Sequence, residues 1–172
     1  MSWFYLVLAL VALQRVAELV IAHRNTRALL ARGAREEGRG QYPVIVALHL
    51  LWLVALLVFV PAGAPPDWYW LGLFVTLQAL RAWVIGSLGP FWTTRIITLP
   101  GAPLVRRGPY RFLRHPNYLV VALEIPLLPL AFGAWGVALA FGLANLALLS
   151  WRIALEDRTL APRRAAGEVA GS

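Results

Sequence analysis

Apolar residues in this chain gather into long runs broken by short polar stretches. The first run covers roughly Trp3 to Ala22, the second Tyr42 to Val60 and the third Trp68 to Leu88. Each approaches the ~20 residues a helix needs to cross a bilayer, and Pro43 suits the first turn of the second. A fourth apolar block divides at Phe132-Gly133-Ala134 into arms from Pro116 to Ala131 and from Trp135 to Trp151, which predicts a tight helical hairpin. Its first arm is short for a span, and Pro126 and Pro129 are expected to kink it. Its second arm is expected to run past Trp151 through Arg152, Glu156 and Asp157, with the chain fraying from Pro162 onward.

The polar intervals complete the pattern. His23 to Gln41 holds several arginines, Glu36, Glu37 and three glycines, with room for a short surface helix. Pro61 to Asp67 is a proline-rich connector. Phe91 to Pro116 is a long polar segment in which Thr93 to Thr98 has β-branched character and Pro100-Gly101 marks a turn. The reading is an all-α integral membrane protein with about five transmembrane helices, in a single domain. Three N-terminal spans fall in 1–90, a loop in 91–116, the hairpin with its closing motif in 116–160 and a tail in 161–172.

Composition supports the membrane reading: 60% of the 172 residues are hydrophobic, above the ~45–50% of ordinary soluble domains. The net charge is +8, and all 16 basic residues are arginine. They crowd His23–Gln41, Phe91–Arg114 and the C-terminal tail, and are absent from Pro61–Asp67 and Phe132–Ala134. Interleaving with apolar runs fits loops against anionic headgroups and argues against nucleic acid. The positive-inside rule then puts the arginine-rich segments in the cytoplasm and the N-terminus outside, which an odd number of spans satisfies. Met1-Ser2-Trp3-Phe4 lacks a basic stretch and no small-residue cleavage site follows, so the first span is expected to be retained. No cysteine is present, which excludes disulfides, thiolate metal sites and cysteine nucleophiles.

Polar side chains inside the runs are the candidates for chemistry, because they are costly in a bilayer unless they pair or bind a ligand. Arg15 and Glu18 lie three residues apart on one helix face and read as an ion pair facing neighbouring helices, with a ligand contact as the alternative. Gln78 and Arg81 have the same spacing. His49, alone in its span, reads as a hydrogen-bonded packing residue. The densest block is Gly108-Pro109-Tyr110 followed by Arg114-His115-Pro116-Asn117-Tyr118. A second cluster is Arg152-Ile153-Ala154-Leu155-Glu156-Asp157, where Arg152 and Glu156 are one turn apart. The hairpin returns the two clusters to the same membrane side, so they are expected to be neighbours. Arginine forks suit carboxylates or phosphates, a carboxylate suits ribose hydroxyls or an ammonium, and tyrosine and histidine suit an adenine. Together they suit a zwitterionic, nucleotide-like cofactor.

Gly108-Pro109-Tyr110, Arg114-His115-Pro116-Asn117-Tyr118 and the closing Arg152-Ile153-x-x-Glu156-Asp157 resemble the signature of the isoprenylcysteine carboxyl methyltransferase family, with aspartate as the second closing acid. The resemblance covers about Leu88 to Leu160. The first half, with Gln14-Arg15-Val16-Ala17-Glu18-Leu19, Arg24-Asn25 and His49, is similar to a bacterial branch that resembles O-methyltransferases of alkylpyrones and alkylresorcinols. The resemblance implies S-adenosylmethionine as methyl donor and a lipophilic acceptor, either a carboxylate such as an isoprenylcysteine or a hydroxyl such as that of a long-chain polyketide. It also implies residue roles. Tyr110, His115, Pro116, Tyr118, Arg152 and Glu156 would bind the cofactor. On their own side-chain chemistry and place in the chain, Arg114, His115 and Glu156 are the catalytic candidates, and Trp92, Arg95 and Glu124 are the candidates to meet the acceptor, Glu124 with packing as its alternative. Metal is not expected, and membrane lipid is the expected surrounding. Two other readings stand beside it: an NADPH-dependent membrane enzyme resembling sterol reductases, and a non-enzymatic membrane adaptor.

Overall fold

The computed structural model describes residues 2–169, with side chains over 2–161. Five helices follow one another: α1 (Trp3–Ala31), α2 (Gln41–Phe59), α3 (Trp68–Leu88), α4 (Pro116–Leu130) and α5 (Trp135–Val169). α1, α2, α3 with the turn that follows it, and α5 as far as Ala161 are each long and apolar enough to cross a membrane. Leu13, Val16, Leu51, Val58, Phe59, Leu139 and Leu143 all point outward and exposed. So much outward apolar surface would be a liability in water and is the natural lining toward lipid. The all-α membrane architecture expected from the hydropathy pattern is therefore found. α4 is the exception in length: its 15 residues rise only about 22 Å, short of the ~30 Å hydrocarbon core.

Local chemistry sets the helix ends. The Asp67 carboxylate caps α3, accepting from the Tyr69 and Trp70 amides at 2.9 and 3.4 Å. α4 begins on Pro116, whose fixed φ and missing N–H cost nothing in a first turn. Gly133, at φ +72°, makes the hairpin turn between α4 and α5, in a region where a side chain would be strained.

Within α4, Pro129 has no amide to offer the Ile125 carbonyl one turn earlier. The Trp52 indole of α2 donates to that carbonyl instead, at 3.0 Å. Trp52→Phe keeps most of the ring volume and orphans the carbonyl, so detergent-solubilised protein is expected to lose about 1–3 kcal/mol. A thermal unfolding midpoint unchanged from the parent would count against this role for Trp52.

Apolar and polar material separate along the bundle axis. Phe4, Trp52, Leu56, Phe74, Ile125, Leu128 and Phe132 form the main core. They come from the start of α1, the end of α2, the start of α3 and the end of α4, which share one end of the bundle. The opposite end collects the arginine-rich segments and the polar block.

Three expectations change at that end. α1 does not stop near Ala22 but continues to Ala31, so half of the supposed polar loop is a helical extension. The rest holds a strand rather than a surface helix: β1 (Arg35–Glu37) pairs antiparallel with β2 (Ile96–Thr98), Glu36 opposite Ile97. The β-branched Ile96, Ile97 and Thr98 favour this pleated surface. The ladder folds the segment after α3 back over the end of α1, where Leu29, Ala34 and Leu99 make a small second core. The third change is at the C-terminus, where the helix passes Pro162 and persists to Val169. A single missing amide can kink a helix without ending it.

Candidate active site

Three chain segments build the site at the arginine-rich end. The 91–98 segment contributes Trp92, Thr94 and Arg95. Residues 108–118 contribute Tyr110, Arg114, His115, Asn117 and Tyr118. α5 contributes Arg152, Glu156 and Asp157. Gly108 starts a short 3₁₀ turn over Gly108–Arg111 at φ +57°, and a Cβ there would collide with the Ser87 side chain. The glycine is thus what lets this loop lie against the end of α3.

His115 precedes α4 in a non-helical conformation, and Tyr118 follows three residues later, so both rings lie on one side. They stack with centroids 5.4 Å apart and planes 26° from parallel. On α5, Arg152 and Glu156 face them. The Tyr118 hydroxyl donates to Glu156 Oε2 and accepts from Arg152 Nε at 2.9 Å. The expected neighbourhood of the two clusters is therefore present, with one refinement. The Tyr118 hydroxyl sits between Arg152 and Glu156, so the pair communicates through a phenol rather than by direct contact. Arg152 Nη2 donates to the Thr94 carbonyl at 2.8 Å, tying the 91–98 segment to α5. His115 Nε2 is 3.0 Å from Asp157 Oδ1, and its Nδ1 is 3.7 Å from Glu156 Oε1.

Glu156 is the main cause of a raised His115 pKa; burial opposes it, and Asp157 adds to it. The stabilisation from protonated His115 is thus full below the ordinary histidine value, near 6.5, and fades as pH rises through the higher folded-state value. Unfolding midpoints of the parent and of His115→Asn are expected to converge as pH climbs through that window; a gap independent of pH would contradict the assignment. Tyr110 is held as a neutral phenol, its pKa raised chiefly by burial and further by the negative Glu156.

A cavity of about 440 Å³ opens beside this cluster. It is lined by Trp92, Arg95, Tyr110, Arg114, His115, Tyr118, Arg152 and Glu156, and reaches Ile45 and His49 of α2, Arg81 of α3 and Asn145 of α5. Two lining residues have buried polar atoms with no partner among the described residues: the Trp92 indole N–H and the Asn117 side-chain amide oxygen, Oδ1. Such orphans are rare in finished interiors, and in a cavity wall they suit pairing with water or a ligand's complementary atoms.

The other expected residues are placed as follows. Arg114 is exposed at the mouth. Arg95 lines the cavity but gives its charge to Glu36, 3.0 Å away, and lies 4.5 Å over the Tyr42 ring. Pro116 is buried behind the cavity, where it shapes the start of α4. Glu124 is turned away from the cavity into an ion cluster. Its Oε2 accepts from Arg15 Nη2 and Arg81 Nη1, both at 2.9 Å. Glu18 accepts from Arg15 at 2.9 Å and from Arg81 through two bonds of 2.6 Å. Gln14 donates to both Glu18 and Gln78 at 2.9 Å. The Arg15–Glu18 pair expected from spacing is thus half of a four-charge cluster joining α1, α3 and α4.

Sequence reasoning did not single out Thr94, Asn117 or Asp157 as site residues. Thr94 acts through its backbone carbonyl and leaves no side-chain signal. Asn117 and Asp157 were flanked by the residues that drew attention, and only the fold shows which way each faces. His49 does make the packing hydrogen bond expected of it, with Nδ1 2.8 Å from the Ile45 carbonyl, yet it also lines the cavity.

The arrangement suits a zwitterionic, nucleotide-like cofactor. The orphaned Trp92 donor and Asn117 acceptor, the Glu156 carboxylate and the exposed arginines at the mouth complement an adenine, ribose hydroxyls and an amino-acid zwitterion. The model described as the isoprenylcysteine carboxyl methyltransferase (ICMT) family matches residues 70–162, the half of the chain that supplies every site residue except those of α1 and α2. Uncharacterized protein YpbQ of Bacillus subtilis (strain 168) is 40% identical over 162 residues, covering 91% of this chain and 96% of its own. An uncharacterized protein of Haemophilus influenzae (strain ATCC 51907 / DSM 11121 / KW20 / Rd) is 26% identical over 110 residues, 62% of this chain and 64% of its own. No solved structure matches.

Proposed function

Because this chain belongs to the isoprenylcysteine carboxyl methyltransferase family, a family of membrane methyltransferases, we propose that it moves a methyl group from S-adenosylmethionine to an oxygen of a lipophilic acceptor. The observation that carries the proposal is the continuity of one cavity. At one end it is walled by the polar cluster His115, Tyr118, Arg152 and Glu156, and at the other by side chains from within the spans, His49, Arg81 and Asn145. A polar donor and an apolar acceptor can therefore meet in one enclosure.

When bound, S-adenosylmethionine supplies an electrophilic methyl on a positively charged sulfur. The residues here hold and orient rather than perform heavy acid–base work. Glu156, fixed by Tyr118 and flanked by His115 and Arg152, offers acceptor oxygens to ribose hydroxyls or the ammonium. Trp92 and Asn117 offer one donor and one acceptor to the base. Arg114, exposed at the mouth, would hold the cofactor's carboxylate. Arg152, bonded to the Thr94 carbonyl, keeps the 91–98 segment closed over the cavity, which excludes water from the reacting atoms. The acceptor enters between helices from the lipid with its apolar tail left among the exposed leucines and valines. With the arginine-rich end facing the cytoplasm of a bacterial cell, the cofactor is supplied from the soluble side.

The test is binding followed by transfer. Detergent-solubilised protein is expected to bind S-adenosylhomocysteine saturably and to pass label from S-adenosylmethionine into a lipid extract of the host. Saturable NADPH binding without S-adenosylhomocysteine binding would overturn the reading.

A further inference from the structure

A second, smaller hollow of about 320 Å³ lies at the arginine-rich end, between the start of α2 and the second half of α5. It shares no lining residue with the cavity of the candidate active site. Trp151, Ala154, Leu155 and Arg158 form its α5 wall, and their i, i+3, i+4, i+7 spacing puts them on one helix face. Gly38, Gly40 and Gln41 form the facing wall. Gly38 takes φ +62°, and a Cβ there would collide with the Leu155 side chain. The turn before α2 can therefore lie against α5 only as glycine. Gln41 is 3% exposed, and its Nε2 donates to the Trp151 carbonyl at a long 3.4 Å. Its Oε1 lies beside Gly38, 3.6 Å from where a Cβ would stand, and is buried with no partner among the described residues. The walls are otherwise positive. Arg158 is exposed, and Ala154, Leu155, Ala161 and Pro162, one turn away on either side, offer it no acid. α2 begins with neither a side-chain cap nor an acidic residue in its first turn, so nothing of its own offsets the positive end of its dipole.

An arginine beside a helix start suits a phosphate. Gln41 sets a second demand: its orphaned oxygen can only accept, so the occupant must also donate a hydrogen bond. An ammonium would donate but is repelled by Arg158 and the helix start; a neutral hydroxyl is not. Trp151 is 51% exposed, an indole of the kind that marks the bilayer interface. One turn deeper, Val44 of α2 and Ala147 of α5 also face outward and leave an apolar track for acyl chains. We propose that this hollow binds the headgroup of an anionic glycerophospholipid that carries a hydroxyl. The phosphate sits between Arg158 and the start of α2, the hydroxyl donates to Gln41 Oε1, and the chains descend past Val44 and Ala147. One bound lipid then ties the turn before α2 to α5, where the long Gln41–Trp151 bond alone is a weak link. The site lies outside the candidate active site and does not depend on the methyltransferase reading.

The experiment titrates the full chain, in a neutral detergent, with phosphatidylglycerol, phosphatidylethanolamine or phosphatidylcholine of matched acyl chains, and with glycerol phosphate and inorganic phosphate. Native mass spectrometry counts bound lipid, and the thermal unfolding midpoint reports its effect on the fold. Phosphatidylglycerol is expected to bind saturably and to raise the midpoint. Phosphatidylcholine, whose quaternary ammonium has no N–H, and phosphatidylethanolamine are expected to bind at least about tenfold more weakly, the equivalent of one hydrogen bond. Arg158→Gln is exposed and should fold; its affinity for phosphatidylglycerol is expected to fall about tenfold or more. Arg32→Gln removes an exposed arginine elsewhere at the same end and is expected to change affinity by less than about twofold. Gln41→Leu keeps every positive charge and is expected to erase most of the preference for phosphatidylglycerol over phosphatidylcholine. Equal losses in Arg158→Gln and Arg32→Gln would overturn the site in favour of diffuse charge attraction. Equal affinity for the three lipids would overturn the headgroup assignment. Glycerol phosphate or inorganic phosphate binding as tightly as phosphatidylglycerol would overturn the lipid as occupant.

Discussion

Arg81→Met is expected to cost about 3–5 kcal/mol of stability, the usual consequence of stripping one partner from a buried ion cluster. Arg81 is 6% exposed and bonds to both oxygens of Glu18 and to Glu124. It thereby links α1, α3 and α4 through a single guanidinium. Methionine fills much of the same space but leaves Glu18 and Glu124 sharing only Arg15, a net negative charge in a low-dielectric interior. Charge balance separates this account from simple loss of packing. In the double variant Arg81→Met/Glu18→Met, Arg15 and Glu124 remain as a neutral pair, and stability is expected to recover well above that of Arg81→Met. Thermal unfolding in one detergent measures both. A double variant as unstable as the single one would show that lost bonds, not uncompensated charge, set the cost.

That cluster also shows where sequence reading reaches and where it stops. Spacing along one helix put Arg15 beside Glu18 and suggested that Arg152 and Glu156 face together, because a helical turn fixes such neighbours. Nothing local relates Arg81 to Glu18, or Glu124 to Arg15; those bonds depend on which helix packs against which. The spans were legible because bilayer thickness imposes a length on apolar runs. The hairpin followed from a glycine break between two such runs. The extension of α1 to Ala31 was not legible, since polar residues hide a helix once it leaves the apolar slab and hydropathy no longer tracks it. The β1–β2 pairing joins segments far apart in sequence, and Glu36 and Glu37 gave no strand signal of their own. At the site, the meeting of residues 115–118 with 152–157 followed from hairpin geometry. The place of the Tyr118 hydroxyl between Arg152 and Glu156 needed coordinates.

Glu156→Gln is expected to weaken S-adenosylhomocysteine binding about 10- to 150-fold, the equivalent of the 1.5–3 kcal/mol of a hydrogen bond to a charged group. The substitution keeps the shape of the side chain and an oxygen for the Tyr118 hydroxyl, so helix packing at the hairpin should survive. It removes the negative charge that Arg152 and His115 surround, and with it the acceptor offered to the ribose or ammonium. Because kcat/KM includes every interaction made before the transition state, methyl transfer should fall at least as far as binding does. His115 supplies an internal check. Glu156 is the main cause of its raised pKa, ahead of Asp157. In Glu156→Gln the imidazole should titrate at a lower pH, nearer the ordinary histidine value. Its pH-dependent contribution to stability, present below about 6.5 and lost as pH rises through the folded-state value, should then fade over a narrower range. An imidazole titration by NMR that shifts as expected, beside unchanged S-adenosylhomocysteine affinity, would place Glu156 in the electrostatics of the cluster but outside the cofactor's contacts. A shift in both ties the cofactor to the carboxylate itself.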